Sequence, residues 1–181
     1  MSPVHISHLI SLLIGHSFVF ATDICQTAQP INNDQREILV NEHRDLRMAI
    51  AEGRQPNNQG TLPSAKNMYK LEYNCEMEGE VQKEILACTG RATLTEKYGQ
   101  NYLVVPAADM HADVPNRLRA AIAIWKGPQR YYGLNNISNY DDNRLYTFAN
   151  MAHAKTLRFA CGYKADCNGG ELHISCIYNL V

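Results

Sequence analysis

Four histidines lie beyond the apolar amino-terminal segment, and imidazole is a side chain often used for proton transfer and metal binding near neutral pH. They are His43, His111, His153 and His173. Because none forms an H-x-x-x-H or H-E-x-x-H pattern, the sequence contains no local zinc signature. In NMAHAKTLRFACGY, Asn150 to Tyr163, a histidine, a threonine and a cysteine lie within one short run. Such a run is either part of a site or the junction between a helix and a strand.

The positions of the other histidines favour structural roles. His43 lies on the apolar face of a predicted helix, where we expect a buried imidazole with a hydrogen-bond partner. His173 alternates with apolar residues in a predicted strand, which predicts a half-exposed side chain. His111 lies in a loop or at a helix start and carries no chemical signal.

Carboxylates recur every four residues in one segment and form an acidic ridge at Glu72, Glu76, Glu80 and Glu84. Paired carboxylates perform acid–base work only when burial pushes their pKa values apart. A ridge opposite an apolar stripe, with Lys83 beside it, is typical of a solvated face. No serine lies in a G-x-S-x-G turn, and paired cysteines leave no free thiol as a nucleophile. The residues therefore predict neither a catalytic site nor a cofactor, and we do not expect an enzyme.

The cysteines and the amino-terminal segment both predict secretion. The apolar run LISLLIGHSFVFA predicts a signal peptide, residues 1–21, that is removed before Thr22. All six cysteines lie beyond it, and an even number in an exported domain predicts three disulfides. The cysteine count alone leaves fifteen connectivities open. The glycosylation sequon at Asn136 fits an extracellular protein.

Charge and composition limit the classes of partner. The formal net charge of -1 gives no electrostatic reason to expect nucleic acid or a membrane surface as a partner. No second apolar run long enough to insert into a membrane follows the first. Residues 22–181, with no repeat or linker, are expected to form a single domain.

Apolar periodicity predicts helices first and a β-hairpin last. Helical spacing is found in NNDQREILVNEHRDLRMAIAEG, where Asn33 or Asp34 could cap the start, in ADVPNRLRAAIAIWKG and, more briefly, in NRLYTFANMAHAKT. A second helix is expected to begin near Pro63-Ser64 and to carry Met68 and Leu71, followed by another apolar stripe. LRFACGY and ELHISCIYNL predict two strands joined through KADCNGG, and NYLVVP a further strand. This order predicts an α+β domain with helices packed on an antiparallel sheet.

Four strings resemble, in order, motifs of the CAP superfamily, which includes cysteine-rich secretory proteins, insect venom antigens and plant pathogenesis-related proteins. They are EILVNEHRDLRMAIAEG, LPSAKNMYKLEYNCEMEGEVQKEILAC, AIWKGPQRYYG and YTFANMAHAKTLRFACGY. The resemblance runs from about Asp34 to Tyr178 and is greatest to the activation-associated secreted, or venom-allergen-like, proteins of parasitic nematodes. It implies an α-β-α sandwich with a central cleft.

The resemblance also implies where a metal would bind, because many members hold a divalent ion in that cleft with two histidines and two glutamates. The matching positions in this sequence are Ala92, Gln100, Pro128 and Thr147. Alanine and proline have no donor atom, and the neutral oxygens of Gln100 and Thr147 are poor ligands for a transition metal. His153 falls where the family has tryptophan, about 120° around the helix from Thr147. We therefore expect no metal in the cleft.

The resemblance implies a disulfide pattern of Cys25–Cys75, Cys88–Cys161 and Cys167–Cys176. It also implies a minimal member of the family, because the cysteine-rich carboxyl-terminal extension found in some members has no counterpart here.

For function, the resemblance implies a secreted binding protein. The sequence is similar to hookworm proteins, a short platelet inhibitor and neutrophil inhibitory factor among them, that block platelet or leukocyte adhesion through integrins. No Arg-Gly-Asp or Lys-Gly-Asp tripeptide is present, so contact with a host cell-surface receptor would come from loops such as 54–62 or 133–144. The basic helix end with Arg130, Tyr131 and Tyr132 could contact an acidic partner or be solvated.

A lipid or sterol carrier is the alternative function. TLPSAKNMYKL and LVVPAADM could line an apolar pocket for such a ligand, although core packing explains the same residues. A metal-dependent enzyme is a third possibility, which the missing cleft ligands disfavour.

Overall fold

The computed structural model describes residues 23–26, 30–107, 113–134 and 142–179. Within these ranges the helices are α1 (Asn33–Ala51), α2 (Cys75–Ile85), α3 (Val114–Lys126), α4 (Pro128–Tyr132) and α5 (Tyr146–Ala152), and a 3-10 turn at Asn143–Leu145 leads into α5. The strands are β1 (Glu72–Tyr73), β2 (Gly99–Val105), β3 (Arg158–Cys167) and β4 (Glu171–Tyr178). The predicted signal peptide, His111 and the Asn136 sequon lie outside the described residues.

Helix α1 begins with a capping box, slightly earlier than the sequence predicts. The Asn32 side chain accepts a hydrogen bond from the Gln35 N–H at 2.9 Å, and the Gln35 side chain accepts one from the Asn32 N–H at 3.0 Å. Apolar residues three and four apart then direct one face into the core, with Leu39 fully buried. Burying one such side chain contributes roughly 1.5–3 kcal/mol. Packing of this face, more than helix propensity, therefore holds α1 in place.

The strands form one sheet in the order β1-β3-β4-β2. Strands β3, β4 and β2 pair antiparallel, whereas the two-residue β1 pairs parallel with β3 at one edge. Side chains alternate between the two faces of the sheet. Phe159 packs in the cluster that contains residues of α1 and α3, whereas its neighbour Ala160 packs with residues of α2. Helices thus cover both faces, and the predicted α-β-α sandwich is confirmed.

The prediction of a helix near Pro63-Ser64 is wrong, because the second helix begins at Cys75. Asn74 caps that helix with its side chain. The segment before it makes long-range backbone bonds in place of helical ones. For example, the Glu72 N–H donates to the Leu157 carbonyl at 2.8 Å. The local sequence pattern does not reveal such tertiary bonds, and here they prevent the helix that the pattern predicts.

The structure contains three disulfides, but two of the pairings implied by the resemblance are wrong. The bridges are Cys25–Cys75, Cys88–Cys167 and Cys161–Cys176. The first agrees with the prediction, whereas Cys88–Cys161 and Cys167–Cys176 do not form. Cys161 and Cys176 lie directly opposite each other in the β3–β4 register, with Cα atoms 4.0 Å apart. Because opposite positions bring Cβ atoms closest, the hairpin register selects this pair and leaves Cys167 for Cys88.

Candidate functional site

The sequence resemblance predicts that Gln100 takes the position of a cleft glutamate, and in the structure the side chain of Gln100 is fully bonded inside the fold. Its Oε1 accepts from the Leu94 N–H at 2.8 Å, and its Nε2 donates to the Glu84 carboxylate at 2.8 and 2.9 Å. The same Nε2 lies 2.9 Å from Ser175 Oγ. Because neighbours use both of its polar atoms, Gln100 holds the segment before β2 against α2 and the sheet.

The other three cleft positions offer one polar side-chain atom between them. Thr147 Oγ1 donates to the Trp125 carbonyl at 3.1 Å, whereas Ala92 and Pro128 have no donor. Pro128 is the first residue of α4, where a missing N–H costs nothing. The four positions therefore do not supply the ligand chemistry of a metal centre. Among the described residues, the one trio of close metal-ligand side chains lies elsewhere and comprises Cys88, Cys167 and His173.

The stretch from Asn150 to Tyr163 is the junction between α5 and β3. His153 directly follows α5 as its C-terminal cap, and its Nδ1 lies 3.1 Å from the Thr156 hydroxyl. Partial burial, with nearby cationic side chains, lowers the pKa of His153. Cys161 lies within β3 and is joined to Cys176. His153 and Cys161 therefore have structural partners of their own, and the run connects α5 to β3 without forming a site.

Arg47 organises this junction from the buried face of α1, a role that sequence reasoning missed. Its guanidinium donates to five backbone carbonyls, those of Tyr69, Met151, His153, Ala154 and Thr156. Burial lowers the pKa of Arg47 to about 10, so the group is still charged at neutral pH. Carbonyl dipoles compensate the buried charge. The sequence did contain one sign that Arg47 is buried, because it lies on the same helical stripe as His43 and Ile50.

His43 is a buried core histidine with hydrogen-bond partners, as predicted. Its Nδ1 lies 2.7 Å from the Leu39 carbonyl and its Nε2 lies 2.9 Å from the Tyr178 hydroxyl. Because a carbonyl only accepts, Nδ1 carries the proton and Nε2 accepts from Tyr178. Complete burial, together with the charges of Arg47 and Lys126, lowers the pKa of His43 to about 4. The imidazole is therefore neutral at physiological pH, and its role is to pack and hydrogen-bond within the core.

His173 is fully buried, so the prediction of a half-exposed side chain is wrong. Its Nδ1 lies 2.8 Å from the Tyr102 hydroxyl, and its Nε2 lies 2.9 Å from the Glu171 carboxylate. Strand alternation implies exposure only when one face of the sheet meets solvent. Helices cover both faces of this sheet, so the alternation of apolar and polar residues in β4 did not predict the exposure of His173 correctly.

A buried ion pair joins the two helical layers and was also missed from the sequence. Arg36 of α1 donates twice to the Glu78 carboxylate of α2, at 2.8 Å in each case. The Tyr73 hydroxyl donates to the same carboxylate at 2.6 Å. Burial, and then the Glu78 charge, raises the pKa of Tyr73 well above its usual value. Glu78 is itself fully buried, so the pair is a structural clamp between α1 and α2.

Two carboxylates of the predicted acidic ridge, Glu80 and Glu84 of α2, anchor the chain segment before β2, whereas Glu72 lies in β1. Glu84 accepts from both the N–H and the hydroxyl of Thr93 at 2.7 Å. Glu80 pairs with Lys97 at 2.8 Å, which lowers the pKa of the Glu80 carboxyl. Each of these carboxylates thus has a partner of its own. The ridge is a partly solvated face rather than an acid–base pair.

The loop 54–62 and the start of the loop 133–144 contact each other beside α4. The Leu134 N–H donates to Asn57 Oδ1 at 2.9 Å, and Asn57 Nδ2 donates to the Leu134 carbonyl at 3.4 Å. Gln129 Nε2 donates to the Pro56 carbonyl at 2.9 Å. The structure therefore brings together two segments that the sequence presents separately, although residues 135–141 lie outside the described ones.

Beside these loops, aromatic and cationic side chains face solvent. Tyr131 is 81% exposed and Tyr132 44% exposed, and the Arg144 guanidinium lies 4.2 Å from the centre of the Tyr132 ring. Tyrosines that present both a ring and a hydroxyl to solvent are enriched at protein interfaces. We call the set Arg130, Tyr131, Tyr132 and Arg144 the α4 surface.

A groove of about 430 Å³ adjoins the α4 surface and runs between α1 and the α3–α4 junction. Its walls include Asp45, Gln55, Lys126, Arg130 and Tyr131. The Lys126 ammonium pairs with the Glu42 carboxylate at 2.9 Å. Arg130 is exposed and has no carboxylate partner among the described residues, which makes it the groove cation to test for contact with a ligand.

The described apolar residues of the two segments considered for a lipid pocket pack into the core, which is the alternative explanation given for them. Leu62 is buried, and Met68, Leu71, Leu103 and Val105 pack against the main core cluster. The described part of both segments is therefore explained by packing of the fold. None of the helices in the described ranges has the length and apolar character needed to cross a membrane.

Comparison with known proteins identifies relatives over most of the chain. The family model for CAP, the cysteine-rich secretory protein family, matches residues 38–178. Ancylostoma secreted protein from Ancylostoma caninum is 30% identical over 149 residues, which covers 82% of this chain and 35% of that protein. The crystal structure of Na-ASP-1 superposes with a TM-score of 0.76 at 29% identity, covering 87% of this chain and 39% of that one. This chain thus spans well under half the length of either relative.

The crystal structure of hookworm platelet inhibitor has a TM-score of 0.64 with this chain at 21% identity. The alignment covers 87% of this chain and 75% of that one. At this level of identity the likeness shows a shared fold.

Proposed function

This chain belongs to the CAP family of cysteine-rich secretory proteins, and we propose that it is a secreted, non-enzymatic binding protein that antagonises host cell adhesion. The proposed partner is a host cell-surface receptor, in the first place a platelet or leukocyte integrin. Secretion is supported by the three disulfides, because such bridges persist in oxidising compartments. It is also supported by the similarity to a relative named as a secreted protein of a hookworm. The fold shared with a protein named platelet inhibitor makes adhesion the first activity to test.

The observation that carries the proposal is the α4 surface, where exposed tyrosines lie next to a loop fixed to the sandwich. The Asn57–Leu134 and Gln129–Pro56 hydrogen bonds attach the loop 54–62 to the segment that carries Tyr131. A recognition surface whose backbone is already ordered loses less entropy on binding. Tyrosine and arginine are also the residues most often found at binding hot spots.

The four positions that the resemblance assigns to the metal-binding cleft also support recognition on the outer surface. Gln100 and Thr147 donate their hydrogen bonds inside the fold, and the remaining two cleft positions have no polar side chain. A function that depended on ligands in the cleft would need donors at these positions. We therefore place recognition on the outside of the molecule.

An adhesion assay with matched tyrosine variants tests this proposal. The purified protein should reduce adhesion of platelets or leukocytes to immobilised fibrinogen, collagen or endothelial ligand. The double variant Tyr131→Ala, Tyr132→Ala should lose at least about tenfold in potency, because truncation of interface tyrosines commonly costs more than about 1.4 kcal/mol.

The matched control is Tyr69→Ala, which removes a tyrosine ring that is 53% exposed but lies outside the α4 surface. It should retain full potency. Circular dichroism should show that all variants are folded. Absence of inhibition by the unmodified protein on every ligand would refute the function, and equal potency of all three proteins would refute the surface.

A further inference from the structure

Three metal-ligand side chains meet at the turn end of the β3–β4 hairpin, at Cys88, Cys167 and His173. One sulfur or ring-nitrogen atom from each lies within 4.8 Å of the other two, and no other trio among the described residues meets this condition. Two thiolates and an imidazole are a donor set that suits Zn²⁺ in proteins. In the oxidised protein the two sulfurs are joined to each other. The three donor side chains are therefore close together, but the disulfide prevents the two sulfurs from binding a metal.

The imidazole of this trio is already held by neighbours on both sides. His173 Nδ1 lies 2.8 Å from the Tyr102 hydroxyl, and Nε2 lies 2.9 Å from the Glu171 carboxylate. Whichever nitrogen coordinates an ion, the other keeps a side-chain partner. Metal-binding histidines nearly always have such a partner on the second nitrogen, because it fixes the ring orientation and increases its basicity.

The backbone around the trio is unusual and stays connected without the bridge. All three non-glycine residues with a left-handed backbone in the described part of the chain lie here: Cys88 (φ 50°), Asp166 (φ 62°) and Asn168 (φ 42°). Such conformations cluster at functional sites. Asn168 Nδ2 also donates to the Cys88 carbonyl at 3.2 Å and to the Glu171 carboxylate at 3.1 Å. These bonds connect the segments that carry the two cysteines independently of the disulfide.

We propose that reduction of the Cys88–Cys167 disulfide creates a zinc site formed by Cys88, Cys167 and His173. A dithiol donates two electrons and two protons, so the S–S bond is replaced by two thiols and the dithiol becomes a cyclic disulfide. Zn²⁺ then displaces both thiol protons and binds two thiolates and the neutral imidazole. Water completes the coordination. Cys88 is half-buried, whereas Cys167 is buried, so the reductant reaches the bridge at the Cys88 sulfur.

The three donor atoms already lie near the spacing that a zinc ion requires. Ligand atoms on a tetrahedral zinc lie roughly 3.5–3.8 Å apart, given Zn–S bonds of about 2.3 Å and Zn–N bonds of about 2.0 Å. The limit of 4.8 Å for the trio lies within a rotamer change of that spacing. None of the site's three ligands is one of the four cleft positions, and the site is independent of the proposed adhesion function.

Zinc binding before and after mild reduction tests this inference. The protein is treated with dithiothreitol, desalted under nitrogen and titrated with ZnCl₂ against a chromogenic chelator, and alkylation with peptide mapping identifies the opened bridge. We expect no tight zinc in the oxidised protein and one ion per chain after reduction. His173→Gln should weaken zinc affinity by at least about 100-fold, since even outer partners of metal ligands are worth about 10–100-fold.

The double variant Cys88→Ser, Cys167→Ser is the control for thiols released from other bridges. Equal zinc binding by this variant, or by His173→Gln, after reduction would overturn the site, as would tight zinc in the oxidised protein. Because His173 is buried and its variant could misfold, Co²⁺ provides a second measurement on the unmodified chain. A tetrahedral absorption spectrum with thiolate charge-transfer bands supports the site, and a spectrum without them contradicts it.

Discussion

The buried face of α1 carries two arginines and a histidine, whereas α4 presents an arginine and two tyrosines to solvent. On α1, Arg36 pairs with Glu78, Arg47 binds five carbonyls and His43 bonds to Tyr178. Each of these three side chains thus has at least one fixed partner inside the molecule, although the buried Nε atom of Arg47 has none. On α4, the rings of Tyr131 and Tyr132 are exposed.

This difference separates stability from recognition. A buried charge is tolerated only when its partners compensate for lost hydration, so its removal should destabilise the fold. An exposed ring or cation contributes little to stability and remains available to a partner. Substitutions on α1 should therefore change unfolding without changing binding, and substitutions on α4 should do the opposite.

The largest expected effect is at the ion pair between α1 and α2. Glu78→Gln leaves the Arg36 guanidinium buried without its carboxylate, which should cost about 3–5 kcal/mol of unfolding free energy. Urea unfolding with the disulfides intact, followed by circular dichroism, measures this loss. Glu76→Gln, an exposed position on the same helix, should change stability by less than about 0.5 kcal/mol. If the two variants were equally stable, the buried pair would not be the clamp described above.

The second effect is a loss of stability in mild acid, caused by His43. Its folded pKa of about 4 lies below the ordinary value of 6.5, because burial disfavours the protonated ring. Below pH 6.5 the unfolded chain therefore binds a proton that the folded chain does not, and stability falls until pH 4. The loss should be roughly 3 kcal/mol, at 1.36 kcal/mol per pKa unit. Urea midpoints measured from pH 7 to pH 4 would reveal it.

A matched pair of histidine variants assigns this acid effect. His43→Gln lacks the titrating group, so its stability should depend much less on pH between 6.5 and 4. His153→Gln removes the half-buried histidine whose pKa is also lowered, and most of the pH dependence should remain. The Glu80 and Glu171 carboxyls, whose pKa values are lowered, lose their contributions only at still lower pH. A His43→Gln variant with an unchanged acid profile would contradict the assignment.

Elements with a regular apolar pattern could be predicted from the sequence, and those set by distant contacts could not. The stripe that includes Leu39 identified α1, and the alternation around Ile174 identified β4. The start of α2 could not be found, because the segment before it bonds to residues some 85 positions away, as in the Glu72–Leu157 bond. Propensity is a weak guide wherever such tertiary bonds compete with it.

The candidate sites also divide into features that follow from residue type and features that depend on distant contacts. The lack of metal donors at Ala92 and Pro128 follows directly from residue type. Two of the disulfide pairs implied by the family resemblance were wrong, because the resemblance takes no account of the register of the β3–β4 hairpin, in which Cys167 ends β3. Counting back from the turn along both strands, with one extra residue for the bulge after Lys164, brings Cys161 opposite its true partner. A bulge has no reliable sequence signal, so neither the register nor the pairing could be derived from the residues themselves.

The smallest expected effect tests whether the cation beside the groove takes part in recognition. Arg130→Ala should reduce potency in the adhesion assay by about threefold to tenfold, equivalent to roughly 0.7–1.4 kcal/mol. The unfolding free energy should change by less than about 0.5 kcal/mol, because Arg130 is exposed. Arg119→Ala, an exposed arginine of α3 that does not line the groove, is the control for net charge.

Salt dependence distinguishes a direct contact of Arg130 from a general charge effect. A cation that meets an acidic group on the receptor contributes less as salt shortens the Debye length from about 10 Å at 0.1 M to about 3 Å at 1 M. The potency difference between Arg130→Ala and the unmodified protein should therefore shrink at high salt, while the tyrosine double variant stays impaired. Equal losses for Arg119→Ala and Arg130→Ala at low salt would instead mean that net charge, rather than the α4 surface, attracts the receptor.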